Sequence, residues 1–174
     1  MNYSDIPRFT RNPSYRVTAD WGYLEGTLDR WVNERGVGMA KLDLDPEFQR
    51  AHVWTEPQQI AYVEYALKGG TSGKEIYLNC TGWMRNWEGP FILVDGKQRL
   101  EAVRKFLRNE LPVFGGHTYS QIEGRLPHTA SFYININDLP YKDVLQWYLE
   151  MNTGGTPHTP AEIEKVKLLL GNKV

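Results

Sequence analysis

The stretch richest in possible chemistry is Phe91-Ile92-Leu93-Val94-Asp95-Gly96-Lys97-Gln98-Arg99-Leu100. Its four apolar residues read as a buried strand that delivers the chain to a tight turn at Asp95-Gly96. Leu100, Val103, Phe106 and Leu107 then mark the apolar side of a helix. Glycine at the turn tolerates a positive φ and lets a ligand come close to the backbone. The helix that follows begins with the N–H groups of Lys97, Gln98 and Arg99, which have no intrahelical acceptors and sit at the positive end of the dipole. Such an end accommodates an anion. Lys97 and Arg99 add formal charge, and a guanidinium can fork onto two phosphate oxygens. The same spacing also fits a plainer arrangement in which Asp95 caps the helix and Lys97 and Arg99 are solvated.

Two further segments bear on this one. In Pro46-Glu47-Phe48-Gln49-Arg50-Ala51-His52-Val53-Trp54, apolar residues at 48, 53 and 54 surround Gln49-Arg50 in an irregular stretch. An arginine held among packed aromatics can be aimed at a phosphate or a carboxylate, and a surface arginine is the bland alternative. In Tyr148–Pro157 a helix ends at Asn152 before the turn residues Gly154-Gly155, which alone describes a corner between helices. Other chemistries find little support. His52, His117, His128 and His158 show neither HxxxH nor HxH spacing, and a single cysteine, Cys80, precludes an intramolecular disulfide or a multi-cysteine zinc cage. GxSxG, GxGxxG and GxxxxGK[ST] are all absent, and Thr71-Ser72-Gly73-Lys74 lacks the upstream glycine of a P-loop. Of the six tryptophans, Trp54, Trp83 and Trp87 fall in loop-like positions, where core or lid packing is the better expectation than base stacking.

The elements that must position these residues follow from spacing. Residues 1–17, with Pro7 and Pro13, read as an N-terminal arm, and residues 18–174 as one domain. Trp21, Leu24, Leu28, Trp31 and Val32 predict a helix over 20–35, stopped by Gly36 and Gly38. Met39–Leu44 and Glu75–Asn79 read as strands. Thr55 and Gln58 form a capping box, with Pro57 in the first turn of a helix ended by Gly69-Gly70. Leu111–Phe114 reads as a short strand and 115–130 as a loop. The alternation of Phe132, Ile134 and Ile136 predicts a strand, and 141–149 a helix. Thr159-Pro160-Ala161-Glu162 caps a last helix through Leu170. This order favours a small mixed α+β fold, with too few crossovers for a doubly wound sheet.

Composition sets bounds. The 174 residues are 41% hydrophobic, enough for one sizeable core, and 20 Lys+Arg nearly balance 21 Asp+Glu. A uniformly basic nucleic-acid coat is excluded, but the charge is uneven. Arg85, Lys97, Arg99, Arg104, Lys105 and Arg108 outnumber Glu88, Asp95 and Glu101, so 85–108 carries +3, whereas 20–56 carries four basic and eight acidic residues, −4. No apolar run approaches the roughly 20 residues of a bilayer span, and the N-terminus lacks a secretory pattern. With one cysteine this fits a reducing cytosol, so a cytoplasmic location and no membrane partner are expected.

Taken in order, Gln49-Arg50 with Trp54, Asp95-Gly96-Lys97-Gln98-Arg99, and Met151-Asn152 ahead of Thr159–Glu162 resemble the ParB/sulfiredoxin-like proteins of domain of unknown function 262. Members include the N-terminal module of GmrSD-type modification-dependent restriction enzymes. Lys97 stands where the family's Asp-Gly-Gln-Gln-Arg turn has its first Gln. The resemblance, over about residues 20–170, implies a ParB-like fold whose turn binds the phosphates of a nucleoside triphosphate. Gly96, Lys97, Gln98, Arg99, Gln49 and Asn152 would contact the nucleotide. Asp95 would hold Mg²⁺ or orient water, with Glu47 a second choice, and Arg50 would offset charge developing on a transferred phosphoryl group. The implied role is an NTP-binding, NTP-hydrolysing module linked to DNA restriction or anti-restriction, of phage or plasmid origin, without the nuclease domain that many relatives carry. The alternatives are a non-enzymatic module that binds DNA or a partner protein, and a ParB-like nuclease.

Overall fold

The structure is a computed structural model that describes residues 15–33, 40–83, 85, 87, 89–151 and 159–171. Its architecture is α+β. A five-stranded mixed sheet is built from β1 (Tyr15–Asp20), β2 (Leu42–Asp43), β3 (Glu75–Cys80), β4 (Phe91–Asp95) and β5 (Ser131–Asn137) in the order β1-β5-β3-β4-β2. The pairs β1/β5 and β3/β4 are antiparallel, and β5/β3 and β4/β2 are parallel. Among the described residues five α-helices pack on it: α1 (Trp21–Asn33), α2 (Glu56–Leu67), α3 (Lys97–Leu107), α4 (Tyr141–Met151) and α5 (Pro160–Gly171).

Alternation along the strands sorts these helices into two layers. Ile76, Leu78 and Cys80 of β3, Phe91 and Leu93 of β4, and Phe132, Ile134 and Ile136 of β5 join one core with Trp21, Leu24 and Leu28 of α1, Val63 and Ala66 of α2, and Leu100, Val103 and Phe106 of α3. Ile92 and Val94 point the other way and pack with Phe48, with Val144, Leu145, Trp147 and Tyr148 of α4, and with Val166 of α5. β4 is therefore buried on both faces, which is why it reads as an unbroken apolar run.

The capping boxes form as their spacing predicts. The Thr55 N–H donates to Gln58 Oε1 at 2.8 Å, the Thr159 N–H to Glu162 Oε2 at 2.7 Å, and the Glu162 N–H to Thr159 Oγ1 at 3.2 Å. Three expectations are corrected. Residues 15–17, assigned to the arm, open β1, whose side chains are exposed or half-buried and so leave only a weak apolar signature; residues 1–14 lie outside the described residues. The strand expected at Met39–Leu44 shrinks to Leu42–Asp43, because Asp43 turns its carboxylate onto the Asp45 N–H at 2.8 Å and starts a turn; Met39 lies outside the described residues. Leu111–Phe114 contributes a lone bridge, Val113 to His117, since three successive positive-φ residues, Phe114, Gly115 and Gly116, turn the chain back before a ladder extends.

Two polar connections lock these elements together, one across the sheet and one within a layer. Asn79 is fully buried, donates from Nδ2 to the Leu139 carbonyl at 3.0 Å and accepts from the Leu139 N–H at 2.9 Å, tying β3 to the entry of α4. Glu25 on α1 accepts from Arg104 Nε at 2.8 Å and from Arg108 Nη2 at 2.6 Å, joining α1 to the end of α3. Burial pushes the Glu25 carboxyl up, but the hydrogen bonds and charges of the two arginines outweigh it and hold it below the ordinary value.

Asn79→Ala leaves the Leu139 N–H buried and unpaired, while the Leu139 carbonyl keeps the Thr81 hydroxyl at 2.6 Å, so urea denaturation is expected to show a loss of about 1–3 kcal/mol; a loss under ~0.5 kcal/mol contradicts this role. Because the folded Glu25 binds its proton less readily than the unfolded one, its contribution is present above the unfolded carboxylate value and is lost as pH falls through the lowered one. Stability measured from about pH 6 down to about pH 3 is expected to fall less steeply in Glu25→Gln than in the wild type.

Candidate functional site

The sheet creates the site through an irregularity. Tyr77 pairs with Asp95 but Leu78 pairs with Leu93, so β4 carries an extra residue next to its C-terminal end. The carbonyls of successive strand residues ordinarily alternate. At this bulge one nitrogen, Gln49 Nε2, reaches both the Leu93 carbonyl at 3.1 Å and the Val94 carbonyl at 2.7 Å. β2 has already ended, and the Gln49 amide takes the place of the strand that would have continued beside β4.

Immediately beyond, Gly96 turns the chain with φ +103 and serves as N-cap of α3. A side chain there would put its Cβ 2.4 Å from Ile76 Cδ1, which is buried in the core, so both the dihedral and the close packing call for glycine. Asp95 is thus not a cap. Its Oδ2 accepts from Arg99 Nη2 at 2.7 Å, and the same nitrogen donates to the Glu75 carbonyl at 2.9 Å. Nor are the cations solvated: the Lys97 and Arg99 side chains keep only 16% and 23% of their exposure. Lys97 Nζ donates to the Arg50 carbonyl at 2.8 Å and contacts Asp45 Oδ1. Arg99 Nε is buried and has no acceptor among the described residues.

Gln49, Arg50, Asp95, Gly96, Lys97, Gln98 and Arg99 line one cavity of about 420 Å³, joined by Trp54, Tyr77, Tyr148 and Met151. Seven of the nine residues singled out from the sequence therefore meet in one place; Asn152 lies outside the described residues, and Glu47 stands apart. Their parts differ. The backbone of α3's first turn and the cations Arg50, Lys97 and Arg99 bring positive charge to the cavity wall, an arrangement that suits an anion. The amides of Gln49 and Gln98 are engaged with protein backbone: Gln98 Oε1 accepts from the N–H groups of Val53 at 2.8 Å and Trp54 at 3.1 Å. Glu47, the second choice for a metal, bonds Tyr141 at 3.1 Å and does not line the cavity.

The aromatic wall shows in its acidities. Burial pushes the Tyr148 phenol up to about 12, against a hydrogen bond to the Arg50 backbone and that residue's charge, which act downward. Tyr77 is raised by burial first and then by the carboxylates of Glu75 and Asp95. Both stay protonated and neutral at physiological pH, available as donors and as flat apolar surface. Tyr77 is not singled out by the sequence, and Tyr148 and Met151, though part of the third segment, are given no place in the site there, because they occupy ordinary strand and helix positions. Gln59, buried on α2 and donating to the Trp54 carbonyl at 2.9 Å, carried one overlooked signal: a polar residue in register with the inward-facing Val63 and Ala66.

The basic excess of 85–108 is answered within the fold. Lys97 contacts Asp45, Arg99 pairs with Asp95, and Arg104 and Arg108 share Glu25, so carboxylates face four of the six basic residues, three of them from the acidic half and one, Asp95, from within the window itself. Asp95 is the sole carboxylate among the described lining residues, and among the described residues no three His, Cys, Asp or Glu side chains gather to hold a metal. A second cavity of about 450 Å³, under α1 between Val17, Ala19, Trp31 and Phe91, has one cation, Arg30, at its rim. Among known proteins, no family model, no curated sequence and no solved structure matches this chain. No helix among the described residues is long and apolar enough to cross a membrane.

Gly96→Ala is expected to lower stability by at least about 1–3 kcal/mol from the backbone conformation alone, with a further loss from the Ile76 contact, measured by urea denaturation. A cost below ~0.5 kcal/mol refutes the constraint placed on this turn.

Proposed function

We propose that the cavity binds a nucleoside triphosphate through its phosphates and that the chain is a nucleotide-binding module of ParB-like type. The observation that carries this is the meeting of Gln49-Arg50 with Asp95–Arg99 around one cavity of about 420 Å³ at the N-terminus of α3. That volume lies within the range of ordinary ligand pockets. Phosphate oxygens accept from the free N–H groups of α3's first turn and from Lys97, whose ammonium has a third donor beyond those given to Asp45 and the Arg50 carbonyl. Arg99 adds its remaining guanidinium donors, and Arg50 approaches from the facing segment. Trp54, Tyr77 and Tyr148 offer flat surfaces on which a base can stack.

The carboxylate set fits Mg²⁺ only in the form in which that ion usually accompanies phosphates, with one or two protein oxygens and the rest from phosphate and water. Asp95 would hold it through the oxygen not taken by Arg99, and the ion would neutralise phosphate charge there. Alternatively, in a hydrolytic reaction, that same Asp95 oxygen would orient the attacking water, and Arg50 would offset the charge that develops on the phosphoryl group in flight. The order of the three motifs supports a place in DNA restriction or anti-restriction. The internal pairing of the basic window weighs against the rival reading as a DNA-coating surface, which needs cations free to displace counterions.

Calorimetry with ATP, GTP, CTP and UTP, each with Mg²⁺, tests the reading. One nucleotide is expected to bind at one site. Lys97→Met and Arg99→Ala, each checked for folding by circular dichroism, are expected to weaken it by about ten- to a hundredfold, the worth of one charge-assisted hydrogen bond. A folded wild type that binds none of the four overturns it.

A further inference from the structure

The amides of the glutamines that line this site are engaged with backbone groups, and their bonds have a common object. The segment from Gln49 to Trp54 has no regular structure of its own and yet carries both Arg50 and Trp54 to the cavity. Without a ladder or a helix to hold it, its backbone groups require partners from elsewhere. Three glutamines from three places supply them. Gln49 joins the start of the segment to the β4 bulge through Leu93 and Val94. Gln98, on the first turn of α3, accepts from the N–H groups of Val53 and Trp54 and donates from Nε2 to the Ala51 carbonyl at 3.3 Å. Gln59, on α2, donates to the Trp54 carbonyl at 2.9 Å. Trp54 is thereby gripped on both sides of its peptide, and Arg50 is held through Ala51, through its own carbonyl on Lys97, and through Tyr148.

We infer that Gln98 is a positioning residue: its side chain fixes residues 51–54 against the first turn of α3 and so sets Arg50 and Trp54 over the phosphate cradle, rather than touching the phosphates itself. A glutamine suits this work because its amide presents an acceptor and donors on one planar group, matching the N–H and C=O of a passing peptide chain. The same helical turn then has two separate tasks. Its backbone N–H groups are left for the ligand, while the Gln98 side chain holds the opposite lip.

Two measurements on the full chain test this, and only the second rests on the nucleotide reading. In the ligand-free protein, amide hydrogen exchange at Val53 and Trp54 is expected to quicken at least tenfold in Gln98→Met, which keeps the shape and removes the acceptor. Gln98→Glu keeps the acceptor and is expected to retain protection at both. Unchanged exchange in Gln98→Met overturns the inference whether or not any nucleotide binds. The second is a mutant cycle on nucleotide affinity in a background that lacks both positioned side chains, Arg50→Ala with Trp54→Ala. If Gln98 acts through these two residues, Gln98→Met weakens binding about tenfold in the wild type and less than about twofold in that double-variant background. Equal losses in both backgrounds mean a direct ligand contact and overturn it. Absence of nucleotide binding by the wild type, with the exchange result as expected, defeats the proposed function and leaves the positioning role standing.

Discussion

The passage from β4 through Gly96 into α3 is the constraint on which the rest of this molecule depends. β4 is buried on both faces and takes part in both cores, so its course admits little adjustment. Gly96 lies against Ile76 with no room for a Cβ, and its left-handed backbone fixes the direction in which α3 departs. From that direction follow the packing of Leu100, Val103 and Phe106 and the reach of Arg104 and Arg108 to Glu25. The orientation of three backbone N–H groups at the cavity follows as well. A structural requirement of the core and the chemical character of the site are here one conformational fact about one residue.

Charge organises the fold at a coarser level. The acidic surplus of the N-terminal part and the basic surplus of 85–108 are complementary faces of α1, the segment after β2, and α3. Such pairs, half-exposed as they are, contribute modestly to stability one by one. Their value lies in registration: two arginines converging on one carboxylate, and a lysine bridging an aspartate and a carbonyl, set how the elements approach one another. The cavity inherits the remainder, with Arg50, Lys97 and Arg99 facing Asp95.

Much of this was legible in the sequence. The apolar run of Phe91–Val94, the spacing of Trp21, Leu24 and Leu28, and the capping residues Thr55 and Thr159 announce their elements because burial and capping leave period and composition behind. β1 left almost no trace, since an edge strand with Tyr15, Arg16, Thr18 and Asp20 exposed has no clean alternation of hydrophobicity to read. At the site, the grouping of Gln49-Arg50 with Asp95–Arg99 was visible from their order, whereas the division of labour among them was not. A glutamine that would bind a phosphate and one that grips a peptide are the same letter, and only the distances from Gln49 to Leu93 and from Gln98 to Val53 distinguish them. Tyr77 and Tyr148 come from a strand and a helix far apart in the chain, and sequence proximity cannot bring them together.

Cys80 has a consequence of a different kind. It is the only cysteine of the chain, it is buried at the end of β3, and burial holds its thiol up to about 11, so it presents almost no thiolate near neutrality. The molecule is thereby silent toward thiol reagents while folded. A cysteine introduced at exposed Val53, next in the chain to the cavity-lining Trp54, becomes a unique attachment point for a spectroscopic label, with the native thiol left in place.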